Sequence, residues 1–153
     1  MARFYRIVQE RWAATAMDGE GARRFGGRWN LPGVPAVYLA ESRALAALEI
    51  LVHAPREALL LDWVIIEVEI PDDWLVETEI SRLPEDWQSQ PSSMAARDFG
   101  SRWLDASKKL GLRLPSVVIP QESTVLLNPM HPQMRELGAG KQLTFSFDRR
   151  LAG

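Results

Sequence analysis

Apolar and polar positions alternate along this chain in short runs separated by turn-rich segments, a pattern of strands more than of long helices. Phe4 to Val8 reads as an opening strand, followed by a helix-compatible or irregular stretch from Trp12 to Met17. From Gly19 to Pro35 the run GEGARRFGGRWNLPGVP holds too many glycines and prolines for a regular element and is predicted as a loop. Ala36 to Ala40 is a compact apolar strand. Ser42 then stands where a helix N-cap belongs, ahead of Ala44, Leu45, Leu48, Leu51 and Val52 at helical spacing, and Pro55 stops that helix.

Leu59 to Ile70 is the clearest strand: Val64, Ile66, Val68 and Ile70 share one side, while Glu67 and Glu69 take the other. After a polar connector through Trp87, a helix is expected from a cap at Ser92 or Ser93 to Lys109. Phe99, Trp103 and Leu110 would lie on its buried stripe, with Gly111 as its C-terminal glycine. Two β-rich pieces follow, Ser116 to Ile119 and Val125 to Leu127, then the proline-bounded segment from Asn128 to Leu137. Leu143, Phe145 and Phe147 mark a last alternating strand. No repeat or linker divides the chain, so one domain over residues 1–153 is expected. The mixed element order predicts an α+β fold with a central, mostly antiparallel sheet.

Composition narrows the function more by exclusion than by assignment. With 153 residues, 46% of them hydrophobic, the chain can bury a real core. A formal net charge of -2, with 18 Lys and Arg spread along the chain, leaves no basic footprint for a phosphate backbone, so direct nucleic-acid contact is not expected. The lack of cysteine rules out disulfides, thiolate zinc sites and cysteine nucleophiles. His53 and His131 lie far apart, and no metal is expected. The opening residues lack the apolar core of a signal peptide, and no run approaches the ~20 apolar residues that span a bilayer. A cytoplasmic protein without membrane attachment is therefore expected.

Two features invite chemistry. Arg23, Arg24 and Arg28 in the glycine-rich run could offer guanidinium forks, beside backbone N–H groups, to a pyrophosphate, or could simply solvate a surface loop. Glu49 interrupts the apolar helix ALAALEILV; it is either a buried carboxylate with a partner or a task, or a residue on the solvent face of an amphipathic helix. His53 is four residues on and within reach of it. Tyr38 precedes this helix by one strand. Ser116 opens a strand after Leu114-Pro115, and Asn128 and His131 sit in the rigid Asn-Pro-Met-His-Pro segment.

The segments Gly26-Gly27-Arg28-Trp29-Asn30, Val37 to Ser42, Ala47 to His53, Leu114 to Val118 and Leu126 to Pro132 together resemble the RES domain, named for an arginine, a glutamate and a serine. Mapped here, these are Arg28, Glu49 and Ser116. The resemblance implies a fold similar to diphtheria-toxin-type ADP-ribosyltransferases and a bacterial toxin that consumes NAD+ by hydrolysis or phosphorolysis. NAD+ is then a substrate, no cofactor is needed, and the partner is an Xre-type helix-turn-helix antitoxin. It further implies that Glu49 stabilises an oxocarbenium-like state, that Arg28 binds the phosphates and that Tyr38 orients the nicotinamide end. Ser116, His53 and Asn128 would support NAD+ binding. Thr124 departs from the asparagine common in the family before its Leu-Leu-Asn-Pro run. ADP-ribosyl transfer to a protein is the alternative; Ala47, two positions before Glu49, lacks the acid common in arginine-directed transferases. A non-enzymatic nucleotide-binding module is a further alternative.

Overall fold

The computed structural model describes residues 1–153. Seven strands form one sheet: β1 (Ala2–Gln9), β2 (Val37–Ala40), β3 (Trp63–Ile70), β4 (Leu75–Glu77), β5 (Gly111–Pro115), β6 (Ser123–Leu127) and β7 (Lys141–Phe145), in spatial order β4-β5-β6-β2-β1-β3-β7. Only β4 and β5 pair in parallel; every other neighbouring pair is antiparallel. Four α-helices accompany the sheet: α1 (Glu20–Phe25), α2 (Arg43–Leu51), α3 (Met94–Ala106) and α4 (Met134–Leu137). The expected α+β class with a mostly antiparallel sheet is the one observed. No helix is long and apolar enough to cross a membrane.

Strand alternation distributes the core over both sheet faces. Phe4, Val37, Leu39, Ile66, Val68, Ile70, Val125 and Leu127 pack on one face. The opposite face is divided: Tyr5, Ile7, Trp63 and Ile65 pack beneath Leu45 and Ala46 of α2, while Leu112, Leu114 and Leu126 pack beneath Ala96 and Leu104 of α3. Between these two clusters lies the feature that makes a site. β1 pairs with β3 along its whole length, yet with β2 only where Tyr5 stands opposite Ala40. The sheet therefore splits between its two halves just beyond that pair.

Several expected elements differ. The glycine-rich run contains the helix α1, held between Gly19 (φ 76°) and Gly26 (φ 73°). The Asp18 side chain accepts from the Glu20 N–H, and Arg23 pairs back to Glu20, so local capping overrides the glycine content. The strand expected from Leu59 begins only at Trp63, because Arg56–Leu60 forms a 3-10 turn after Pro55. α3 is capped by the Ser93 hydroxyl but ends at Ala106, where Ser107 turns extended. Leu110 already donates to the Trp74 carbonyl beside the sheet, and Gly111 opens β5. Gly111 serves packing, not capping: a Cβ there would lie 2.7 Å from Leu127 and Leu75 side chains.

Ser116 to Ile119 is not a strand. The Ser116 hydroxyl accepts from the N–H groups of Val118 and Ile119, and this local turn displaces a ladder. At the end of the chain β7 stops at Phe145, and Leu143 on this edge strand is 40% exposed. Phe147, beyond the strand, is buried edge-on against Trp63.

Candidate active site

The split in the sheet borders a cleft of about 1110 Å³ lined by Arg6 of β1, Tyr38 of β2, Glu49 of α2, Arg97 of α3 and, from the glycine-rich run, Arg28. Each of these side chains is placed by a different piece of local structure.

Arg28 sits on a tight turn closed by the Gly27–Asn30 bridge. Its neighbour Trp29 is 1% exposed and packs against Trp87 and Phe99, which anchors the turn under α3. Arg28 Nη1 donates to the carbonyls of Trp87 and Ser89, leaving Nε and Nη2 without protein acceptors. Burial pushes its guanidinium below the ordinary arginine range, Glu49 opposes that shift, and nearby Arg97 adds to it.

Tyr38 and Asn30 tie the turn to the sheet. The Tyr38 hydroxyl donates to Asn30 Oδ1 (2.6 Å) and accepts the Trp29 N–H (2.9 Å). The fully buried Asn30 amide donates to the carbonyls of Ala22 and Val34. A Cβ at Gly27 would stand 2.8 Å from the Tyr38 hydroxyl, so the turn has room only for glycine there. Burial raises the Tyr38 hydroxyl far above the usual tyrosine range, against the Trp29 N–H and nearby Arg97, Arg28 and Arg6, which favour ionisation. Tyr38 therefore enters the cleft neutral.

Glu49 projects from α2, whose start is fixed by the Ser42 hydroxyl accepting the Leu45 N–H. Ser116 reaches it from the turn after β5: Ser116 Oγ donates to Glu49 Oε1 at 3.0 Å while accepting two backbone N–H groups. That leaves Glu49 Oε2 without a protein partner. Glu49 is the one carboxylate on the cleft wall, and none of Arg6, Arg28 and Arg97 belongs to an ion pair. The cleft therefore offers an anchored acceptor facing unpaired guanidinium groups, a suitable surround for a phosphate-bearing substrate that develops positive charge at one carbon.

The structure thus brings Arg28, Tyr38, Glu49 and Ser116 together. His53 lies exposed on the cleft wall after α2, but Glu49 takes its hydrogen bond from Ser116 and none from His53. Asn128 is not brought there: it makes a turn, accepting the Met130 N–H and donating to the Leu104 carbonyl. Thr124 lines the cleft. Arg6, Arg97 and Asn30 have roles that sequence reasoning left unassigned. Arg6 carried a readable signal, a charge inside the apolar strand Phe4 to Val8; Arg97, on an amphipathic helix, carried none. No group of three or more His, Asp or Glu side chains comes together to hold a metal.

A family model for the RES domain matches residues 3–148. A protein named Toxin Res from Photorhabdus laumondii is 38% identical over 148 residues, covering 96% of this chain and 95% of its own. Prs ADP-ribosylating toxin from Sphingobium is 37% identical over 153 residues, covering 97% of this chain and 95% of its own. A shorter stretch of 36 residues is 58% identical to the NAD(+) phosphorylase MbcT of Mycobacterium tuberculosis, 23% of this chain and 19% of that one. The crystal structure of the M. tuberculosis MbcT–MbcA toxin–antitoxin complex superposes with a TM-score of 0.76 at 20% identity, over 99% of this chain and 86% of that chain, a likeness of fold. With the matching model spanning nearly its whole length, this chain belongs to the RES domain family.

Proposed function

We propose that this chain is a toxin that consumes NAD+ by breaking the bond between nicotinamide and ribose. The observation that carries this reading is the hydrogen-bonded pair of Ser116 and Glu49, which holds the single carboxylate of a cleft that also presents the guanidinium groups of Arg6, Arg28 and Arg97. As the C–N bond breaks, its electron pair leaves with nicotinamide and the ribose carbon becomes oxocarbenium-like; a fixed carboxylate stabilises that charge. Glu49 Oε2, with no protein partner, is the oxygen available for it. Arg28 clamps the phosphates through Nε and Nη2, and Tyr38 holds the arginine turn in place. The names of relatives, a Toxin Res, an ADP-ribosylating toxin and an NAD(+) phosphorylase, support the same chemistry.

Water or inorganic phosphate takes the ADP-ribosyl group in the primary reading. Transfer to a protein is the second, favoured by the Sphingobium relative named an ADP-ribosylating toxin, which matches over 97% of this chain. The protein acts in the cytoplasm as one domain, and an Xre-type helix-turn-helix antitoxin neutralises it; the fold shared with a toxin–antitoxin complex supports an antitoxin partner.

The test is nicotinamide release from NAD+ by the purified chain in buffer, in phosphate and in cell extract. Free ADP-ribose marks hydrolysis, a phosphorylated ADP-ribose marks phosphorolysis, and label on protein marks transfer. Intact NAD+ in all three would overturn the proposal.

A further inference from the structure

In the proposed function Arg28 takes the phosphates and Glu49 faces the ribose carbon, which leaves the flat bases of the dinucleotide without a partner. Four Phe, Trp and Tyr side chains line the cleft: Tyr5, Phe25, Trp29 and Tyr38. Three of them are already engaged. Tyr5 is buried with the Arg43 guanidinium over its ring, Trp29 is buried against Trp87 and Phe99, and the Tyr38 hydroxyl is tied to Asn30 and Trp29. Phe25 is different. It is 79% exposed, joins none of the three hydrophobic clusters, and has no other ring or guanidinium packed on it.

A lone exposed phenylalanine ordinarily needs no explanation, but the backbone that carries this one is fixed. Phe25 ends α1, and Gly26 after it takes φ 73° and donates its N–H to the Ala22 carbonyl. A Cβ on Gly26 would lie 3.0 Å from the Asn30 carbonyl oxygen and 3.1 Å from the Pro32 ring, so this backbone is pressed against the turn that carries Arg28. The ring therefore stands at a set place on the cleft wall, three residues before the guanidinium. An open aromatic ring beside a phosphate-binding arginine suits a planar base: stacking removes apolar surface of both rings from water, and any base offers a π-face for it. We infer that Phe25 is the base-stacking residue of this cleft, its ring lying against adenine or nicotinamide. The inference rests on the proposed function for the kind of ligand, a nucleotide.

The wild-type protein decides the matter through nuclear Overhauser contacts between the Phe25 ring protons and the base protons of added AMP or nicotinamide mononucleotide. The Phe25 signals are those missing from Phe25→Leu. The inference expects contacts with at least one of the two nucleotides. Contacts with AMP alone identify adenine as the stacked base, contacts with nicotinamide mononucleotide alone identify nicotinamide, and contacts with both mark a platform that takes either. A Phe25 ring without contacts to either base overturns the inference.

Phe25→Ala should weaken binding of the responding nucleotide about tenfold or more, as for the loss of one base–aromatic stack, and Phe25→Tyr should keep it. Ribose 5-phosphate, which has the phosphate but no base, should bind the wild type and both variants alike. Equal weakening of ribose 5-phosphate by Phe25→Ala would make the ring a support for the Arg28 turn and also overturn the inference. Should the alanine variant not fold, the wild-type contacts still decide. No turnover is needed, so a protein that stacks a base on Phe25 yet leaves NAD+ intact contradicts only the proposed function. One that cleaves NAD+ with Phe25 free of the base contradicts only this inference.

Discussion

Ser116 has no reactive surroundings that would make it a nucleophile; its hydroxyl is spent on one carboxylate and two backbone N–H groups. In the proposed function it acts through Glu49. Ser116→Ala should lower kcat on the order of tenfold with little change in KM for NAD+, because the lost bond positions a group whose interaction strengthens in the transition state. It should also cost about 1–3 kcal/mol of stability in a denaturant titration, since two N–H groups lose their acceptor. A rise in KM at constant kcat would place Ser116 in ground-state binding instead. Arg28→Lys keeps the charge but not the fork whose Nη1 holds two carbonyls and whose Nε and Nη2 clamp the phosphates in the proposed function, and should weaken NAD+ binding by about tenfold or more. Isothermal titration checks this, and wild-type affinity would remove the clamp. The sign for Tyr38 also follows from its surroundings. Burial raises its folded-state pKa, so its contribution to stability is complete below the unfolded value of about 10 and is lost as pH rises beyond it. Tyr38→Phe should therefore flatten the alkaline fall of the unfolding free energy. An equally steep fall in both proteins would assign it to other groups.

Among the elements, legibility followed how local the determining interactions are. The helix α2 was readable because Ser42 and the apolar spacing lie within its own sequence, and the observed cap is the expected one. α1 was not, since its ends are set by glycines in left-handed conformation inside a run whose composition argues against any helix. The end of α3 and the start of β5 were misplaced because Gly111 is required by packing against Leu75 and Leu127, contacts distant in sequence. The Arg28 turn belongs to the same class. Its shape depends on Asn30 and Tyr38 meeting over Gly27, so Gly27→Ala should displace it. The expected result is weakened NAD+ binding together with a lower melting temperature, and unchanged values for both would show that the turn tolerates a side chain.

At the scale of the whole molecule, the cleft exists because one antiparallel ladder, β1 with β2, is interrupted after a single residue pair. Nothing in the alternation of either strand announces that break; only Arg6, a charge in an apolar run, hints that the strand borders something polar. The pieces of the site were therefore legible as residues, Arg28, Glu49 and Ser116 through family resemblance, while the geometry that joins Ser116 to Glu49 and excludes Asn128 required the fold. If this molecule is a toxin, its expression without an antitoxin should arrest growth and lower cellular NAD+, measured by an enzymatic assay of extracts. Arrest with unchanged NAD+ would favour protein modification. The most direct test compares nicotinamide release from NAD+ by the wild type and Glu49→Gln, with melting temperature and NAD+ affinity measured on the same preparations. Turnover should fall on the order of 10²-fold or more while folding and affinity stay close to wild type, as for the loss of one preorganised electrostatic group. A folded Glu49→Gln protein that releases nicotinamide at near the wild-type rate would contradict the account.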